Sequence, residues 1–159
     1  MALRLVQVSF KARDDAALGR FWADALGWGV SSEAPGVANV EPVGFEWPDP
    51  SALCIDVVAV PDPESVRYRA HLDLATTSVA QQTELVAHLT ELGATSADIG
   101  QGDVPPCTGE GVVLADPEGN LFCVLEPRPI YADTGPIAAV VVDCANPQAL
   151  AEFWNEATD

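Results

Sequence analysis

The chain is almost without lysine: Lys11 is the only one, and seven basic residues in all stand against 24 acidic ones, a formal net charge of −17. A surface of that sign repels phosphate backbones and anionic bilayers, which sets nucleic acid and membrane surfaces aside as partners. Long apolar runs are missing too. The longest, Ile137 to Val142, falls far short of the roughly 20 residues a spanning helix needs. The opening Met1-Ala2-Leu3-Arg4 leads straight into alternating sequence, with no charged stretch, apolar core and cleavage site of a signal peptide, so the expected location is cytoplasmic. Cysteines are few and scattered, at 54, 107, 123 and 144. None shows the short paired spacing of a zinc finger or a redox motif, and the expectation is free thiols in a reducing compartment.

What is present is a hydrophobic content of 48% over 159 residues, enough for one domain with a real core. It also contains a repeat. Gln7-Val8 through Ala17-Leu18-Gly19-Arg20-Phe21-Trp22 returns as Ala139-Val140 through Ala149-Leu150-Ala151-Glu152-Phe153-Trp154, with Trp154 standing 132 positions after Trp22. Both copies read as a strand, a polar turn and a helix carrying Ala-Leu-x-x-Phe-Trp. The expected organisation is a complete domain over 1–127, a linker over 128–136 and the truncated start of a second module over 137–159.

Within the first 127 residues the pattern falls into two halves. Val6, Val8 and Phe10 alternate on one face of an opening strand. Asp14-Asp15 then caps a helix whose Leu18, Phe21, Trp22, Ala25 and Leu26 recur at helical spacing, and Gly27 ends it. Extended pieces follow at Trp28 to Ser32, Val37 to Val40 and Leu53 to Val60. The second half repeats the order: a strand from His71 to Ala75, a helix from Ser78 to Leu92 closed by Gly93, and strands at Ala94 to Ile99, Val112 to Leu114 and Leu121 to Glu126. The last two are joined by the turn Asp116-Pro117-Glu118-Gly119-Asn120, whose residue types hairpin geometry explains.

Three segments carry a resemblance: Phe21-Trp22 with Leu26-Gly27-Trp28, the strand Arg69-Ala70-His71-Leu72-Asp73-Leu74, and Asp116-Pro117-Glu118-Gly119-Asn120-Leu121-Phe122-Cys123. In this order the chain resembles the vicinal oxygen chelate superfamily, which includes glyoxalase I, bleomycin-resistance proteins, fosfomycin-resistance enzymes and extradiol dioxygenases. More narrowly it is similar to tandem glyoxalase-like proteins. The resemblance implies an α+β fold in which paired βαβββ modules form an incurved mixed sheet around a ligand cavity, with helices outside. It also implies metal-ligand positions at Gln7, His71 and Cys123. The last of these holds a carboxylate in relatives, usually Glu, and a neutral amide, an imidazole and a thiol make a poorer set for a hard or borderline cation. No cofactor is expected, with a divalent metal as the alternative.

Strand parity puts His71 and Asp73 on one face and Leu121 and Cys123 on a facing strand, so His71 could activate Cys123 while Asp73 orients the imidazole. The competing reading makes them hydrogen-bonded wall residues. Gln7, Ser9, His71, Asp73, Leu121 and Cys123, with Trp28 and Trp47 at the rim, are the expected ligand-binding set. His88 reads as a solvated helix residue, and Asp56 carries no assigned role. The leading expectation is a protein that binds or sequesters a small cationic or aromatic molecule without metal. The alternatives are a metal-dependent lyase, isomerase or dioxygenase with an atypical ligand set, and a partner-binding protein using its C-terminal stub. That stub is expected either to dock on the first module or to exchange with a second chain in a homodimer.

Overall fold

Two copies of one five-element unit follow each other in the computed structural model, which describes residues 3–47, 49, 53–63, 68–97 and 111–158. The first comprises β1 (Gln7–Ala12), α1 (Asp15–Leu26), β2 (Gly29–Ala34), β3 (Val37–Glu41) and β4 (Cys54–Ala59). The second comprises β5 (Ala70–Leu74), α2 (Val79–Glu91), β6 (Thr95–Ser96), β7 (Val112–Ala115) and β8 (Leu121–Val124). Each unit builds a sheet with its first and fourth strands side by side and parallel, followed by the third and second in antiparallel order. The fold is α+β, with two mixed sheets and flanking helices. The expected sixth strand is shorter than its sequence pattern, and residues 98–110, including Cys107, lie outside the described residues.

Helix α1 forms where its caps direct it. The Asp14 carboxylate accepts the Ala17 amide at 2.8 Å, and Gly27 closes the helix in the left-handed region at φ 66°. Its apolar stripe, Leu18, Phe21, Trp22, Ala25 and Leu26, is buried. Gly19 lets the helix approach the sheet, because a Cβ there would sit 2.8 Å from the Cβ of Ala38. Trp22 then reaches both sheets: its ring stacks on Phe10 of β1 at 5.3 Å and meets Phe122 of β8 edge-on at 5.1 Å.

The 116–120 turn is structural, as its composition implies, and it also carries contacts that its local sequence does not reveal. Asp116 is 3% exposed. It accepts bonds from Trp22 Nε1 at 3.2 Å, from the amides of Glu118 and Asn120, and from Asn120 Nδ2. Glu118 Oε1 accepts the backbone N–H groups of Arg13 and Asp14 at 2.9 and 3.1 Å. One turn of the second unit thereby holds the helix of the first.

After a short 3-10 turn at Pro129–Tyr131 come β9 (Ile137–Val142) and α3 (Pro147–Thr158). Strand β9 adds antiparallel to the edge of β5, with Val141 opposite His71 and Ala139 opposite Asp73. Within this chain the strand of the stub docks on the preceding module through that pairing. Helix α3 is different: it buries no residue, and Phe153 and Trp154 are 58% and 47% exposed where Phe21 and Trp22 are 4% and 0%. Among the described residues no helix is long and apolar enough to cross a membrane.

Candidate functional site

Alternation along β1, β3 and β4 sends Phe10, Ala12, Ala38, Val40, Ile55 and Val57 into the core beneath α1. It leaves a polar row on the opposite face. Ser9, Asp56 and Asn39 stand directly beside one another across the three strands. Asp56 is the hub of that row. Gln7 Nε2 donates to its Oδ2 and Asn39 Nδ2 donates to its Oδ1. Gln7, Ser31, Asn39, Glu41, Trp47 and Asp56 surround a cavity of about 380 Å³. Trp47 is half exposed at its edge, Nε1 donating to Glu41 Oε1 at 2.8 Å and the ring meeting Phe45 at 5.2 Å.

The lining of the cavity is acidic. Two carboxylates line it with no cationic side chain among the lining residues. The thiol of Cys54, which stands beside Gln7 in the sheet, is pushed up to about 11 by burial and by the carboxylates of Glu41 and Asp56.

A second cluster sits on the other sheet. Asp73 of β5 and Cys123 of β8 are direct neighbours across a parallel pair, and His71 lies two residues from Asp73 on the same face. The imidazole, carboxylate and sulfur place one ligand atom each within 4.8 Å of one another. His71 Nε2 and Asp73 Oδ1 are 3.5 Å apart, an ion-pair distance without a formed hydrogen bond, since that buried oxygen accepts none. Asp73 still raises the His71 pKa above 6.5. Burial opposes the rise, and Asp143 adds to it. Cys123 is a correction to the expectation of free thiols: it is disulfide-bonded, whereas Cys54 and Cys144 are free. Its bonding partner lies outside the described residues.

The expected ligand-binding set is thus divided. Gln7 and Ser9 belong to the first sheet and Trp47 to its cavity, while His71, Asp73 and Cys123 cluster on the second sheet. Leu121 is 40% exposed at the start of β8. Trp28 packs against the core and lines a separate cavity with Pro42, Leu53 and Ile137. The metal set Gln7, His71 and Cys123 is not drawn together by strand pairing, since β1 pairs with β4 and β5 pairs with β8 and β9. The fit to a divalent ion is incomplete. Asp73 Oδ1 is an orphaned buried acceptor facing an imidazole, yet a disulfide sulfur is no thiolate and Gln7 is held by Asp56. The last strand of the second unit stops short of its sequence pattern: β8 ends at Val124, and Glu126 beyond it pairs with Arg128 at 2.6 Å. Sequence reasoning missed Ser31, Asn39 and Glu41 and gave Asp56 no role; alternation on β3 and β4 was the available signal.

His71 provides a test of this electrostatic picture. Its imidazole is expected to titrate above 6.5 by NMR, and Asp73→Asn should lower that value. Because the folded value is raised, the pair's contribution to stability is complete below about 6.5 and is lost as pH rises through the folded pKa. An unmoved titration in Asp73→Asn would remove the coupling.

Residues 7–125 match the family described as glyoxalase-like domain. No curated protein matches the chain. Among solved structures, a glyoxalase/bleomycin resistance protein/dioxygenase family enzyme from Burkholderia phytofirmans is 20% identical, covering 77% of this chain and 97% of its own with a TM-score of 0.57. The oxidase ChaP-H1 is 25% identical, covering 80% and 98% with a TM-score of 0.55. A bleomycin resistance determinant encoded on the transposon Tn5 is 16% identical, covering 79% and 99% with a TM-score of 0.51, a likeness of fold.

Proposed function

We propose, from the premise that the chain belongs to the glyoxalase-like domain family of the vicinal oxygen chelate superfamily, that it binds a small cationic molecule bearing an aromatic or apolar group. The site is the cavity of the first sheet. One observation carries the reading: Glu41 and Asp56 flank that cavity with a half-exposed Trp47 at its edge and no lining cation. Carboxylates already steadied by neutral donors keep lone pairs for an ammonium or guanidinium group, and an indole face attracts a cation through its quadrupole. The carboxylate charges that add to burial in pushing the Cys54 thiol up also draw a positive charge in.

Calorimetric titration with benzyltrimethylammonium and an alkylguanidinium, against the neutral and carboxylate isosteres, tests this. The cations are expected to bind and the carboxylate not to. Glu41→Gln and Asp56→Asn should each weaken binding about 10-fold, the worth of one charge-assisted contact. Trp47→Ala should weaken it about 3-fold. Equal binding of the anionic isostere, or indifference to both carboxylate variants, overturns the reading. A second reading, a metal-dependent lyase, isomerase or dioxygenase, draws on the His71, Asp73 and Cys123 cluster.

A further inference from the structure

We infer that the groove between residues 3–5, β9 and α3 is a second ligand site, one that takes an extended alkyl carboxylate. It shares no lining residue with the cation-binding cavity. The groove encloses about 660 Å³, within the range of roughly 300 to 1,000 Å³ typical of small-molecule sites. Leu3, Leu5, Val140, Val142, Leu150 and Trp154 make most of its wall apolar.

The repeat shows that this wall belongs under cover. Leu150 and Trp154 stand where Leu18 and Trp22 stand in the first copy, and there the same stripe is buried. In α3 it lines the groove instead, with Trp154, Leu3, Leu5 and Val142 exposed along it. Apolar surface converging from three segments is a place for something apolar to dock. Two of the walls are tied together in advance, because the Leu3 N–H donates to the Ala157 carbonyl of α3 at 3.2 Å. Lining residues run from Pro147 to Thr158, the full length of α3. At 1.5 Å per residue that is about 18 Å, room for an extended chain of about ten carbons and its head group.

Charge decides the head group. In a chain with 24 acidic and seven basic residues, the described lining of this groove has no carboxylate and one guanidinium, that of Arg4. The first-sheet cavity has the reverse lining. The Leu3 bond sets Arg4 beside the C-terminal end of α3, so a carboxylate held there sends its chain back towards Pro147. Arg4 also has an interaction within the chain, and its five donors serve a second acceptor as well. The net charge of −17 slows an anion's approach, but salt screens it beyond about 8 Å and local contacts set the affinity. Each buried methylene is worth about fourfold in affinity, so a compact benzyl-type carboxylate forgoes most of this gain and is not retained. A second copy of the chain is a poorer occupant, since it brings another −17 to the contact.

Cys144 supplies a readout confined to the groove. It lines the groove with a free thiol, whereas Cys54 is buried with its thiol pushed up to about 11 and Cys123 is disulfide-bonded. Alkylation of the full chain by iodoacetamide, assigned to Cys144 by peptide mass spectrometry, is timed against rising decanoate, decylammonium and butyrate. Saturating decanoate is expected to slow alkylation of Cys144 by about fivefold or more, since access governs thiol reactivity. Decylammonium and butyrate should each need about tenfold higher concentration for the same protection. Decylammonium bound in the first-sheet cavity leaves the rate unchanged, because Cys144 is not in that lining. Arg4→Gln should weaken decanoate about fivefold and erase its advantage over decylammonium. Trp154→Ala should also weaken it about fivefold, and both side chains are exposed, so the variants keep the fold. An alkylation rate unmoved by decanoate, equal protection by decylammonium, indifference to both substitutions, or a dimer in light scattering that decanoate does not dissociate would overturn the proposal.

Discussion

Asp116→Ala is expected to lower the stability of this protein by about 3 to 5 kcal/mol, the range for breaking a buried, multiply bonded polar hub. The substitution removes the acceptor of the Trp22 indole N–H, of two backbone amides and of the Asn120 side chain at once. The buried Trp22 donor then loses its partner without regaining water, and the part-buried donors of Glu118 and Asn120 lose theirs. For a chain of this size the loss corresponds to a fall in Tm on the order of 10 °C, measurable by differential scanning calorimetry. The same residue imposes a pH dependence. Burial holds the Asp116 carboxyl above 3.8, and the hydrogen bonds from Asn120, Trp22 and Glu118 pull against it. A raised folded pKa means that the native state binds the proton more tightly than the unfolded chain. The contribution is therefore complete below about 3.8 and is lost as pH rises through the folded value. Denaturation curves of Asp116→Asn, compared with the parent across acidic pH, should lack that component. A calorimetric loss under 1 kcal/mol for Asp116→Ala would show that the turn does not hold α1.

Trp22→Ala and Trp154→Ala should differ by an order of magnitude although both belong to the same repeated motif. Trp22 is fully buried among Phe10, Phe21 and Phe122, and its removal leaves a large cavity and takes away one of the two donors to Asp116 Oδ2. A loss of about 3 to 5 kcal/mol is expected. Trp154 is 47% exposed and contacts only Phe153 among the ring pairs of the described residues. Its loss in an isolated chain should stay within about 0.5 kcal/mol. Urea denaturation of the two variants measures the difference directly. A large, concentration-dependent effect at Trp154 would instead reveal that a second copy covers α3, as a homodimer formed through the stub requires.

The repeat itself was legible because side-chain periodicity survives in any sequence that must bury one helix face. The caps at Asp14, Gly27 and Ser78, the order of helix and strands along each unit and the hairpin turn at 116–120 all rest on local chemistry. They appear where alternation and capping residues place them. The membership of Gln7, Ser9 and Asp56 on one sheet face was equally readable from parity.

Pairing was not readable. Gln7 opens β1 and His71 is the second residue of β5, and only the hydrogen-bond ladder determines that β5 takes β9 as its edge neighbour, setting Ala139 and Val141 beside Asp73 and His71. Nothing local in Trp22 announces that its indole will donate to an aspartate 94 residues away. Cys123 alone does not disclose that its sulfur is oxidised. By itself, then, the sequence determined the elements, their faces, the family and the acidic character of the surface, because these depend on residues within a few positions of each other. The tertiary structure decided which faces meet: the Glu41, Asp56 and Trp47 cavity, the His71, Asp73 and Cys123 cluster, and the contrast between a buried α1 and a bare α3. Long-range contacts follow from the closure of sheets over large sequence separations, and side-chain periodicity carries no information about the partner across that gap.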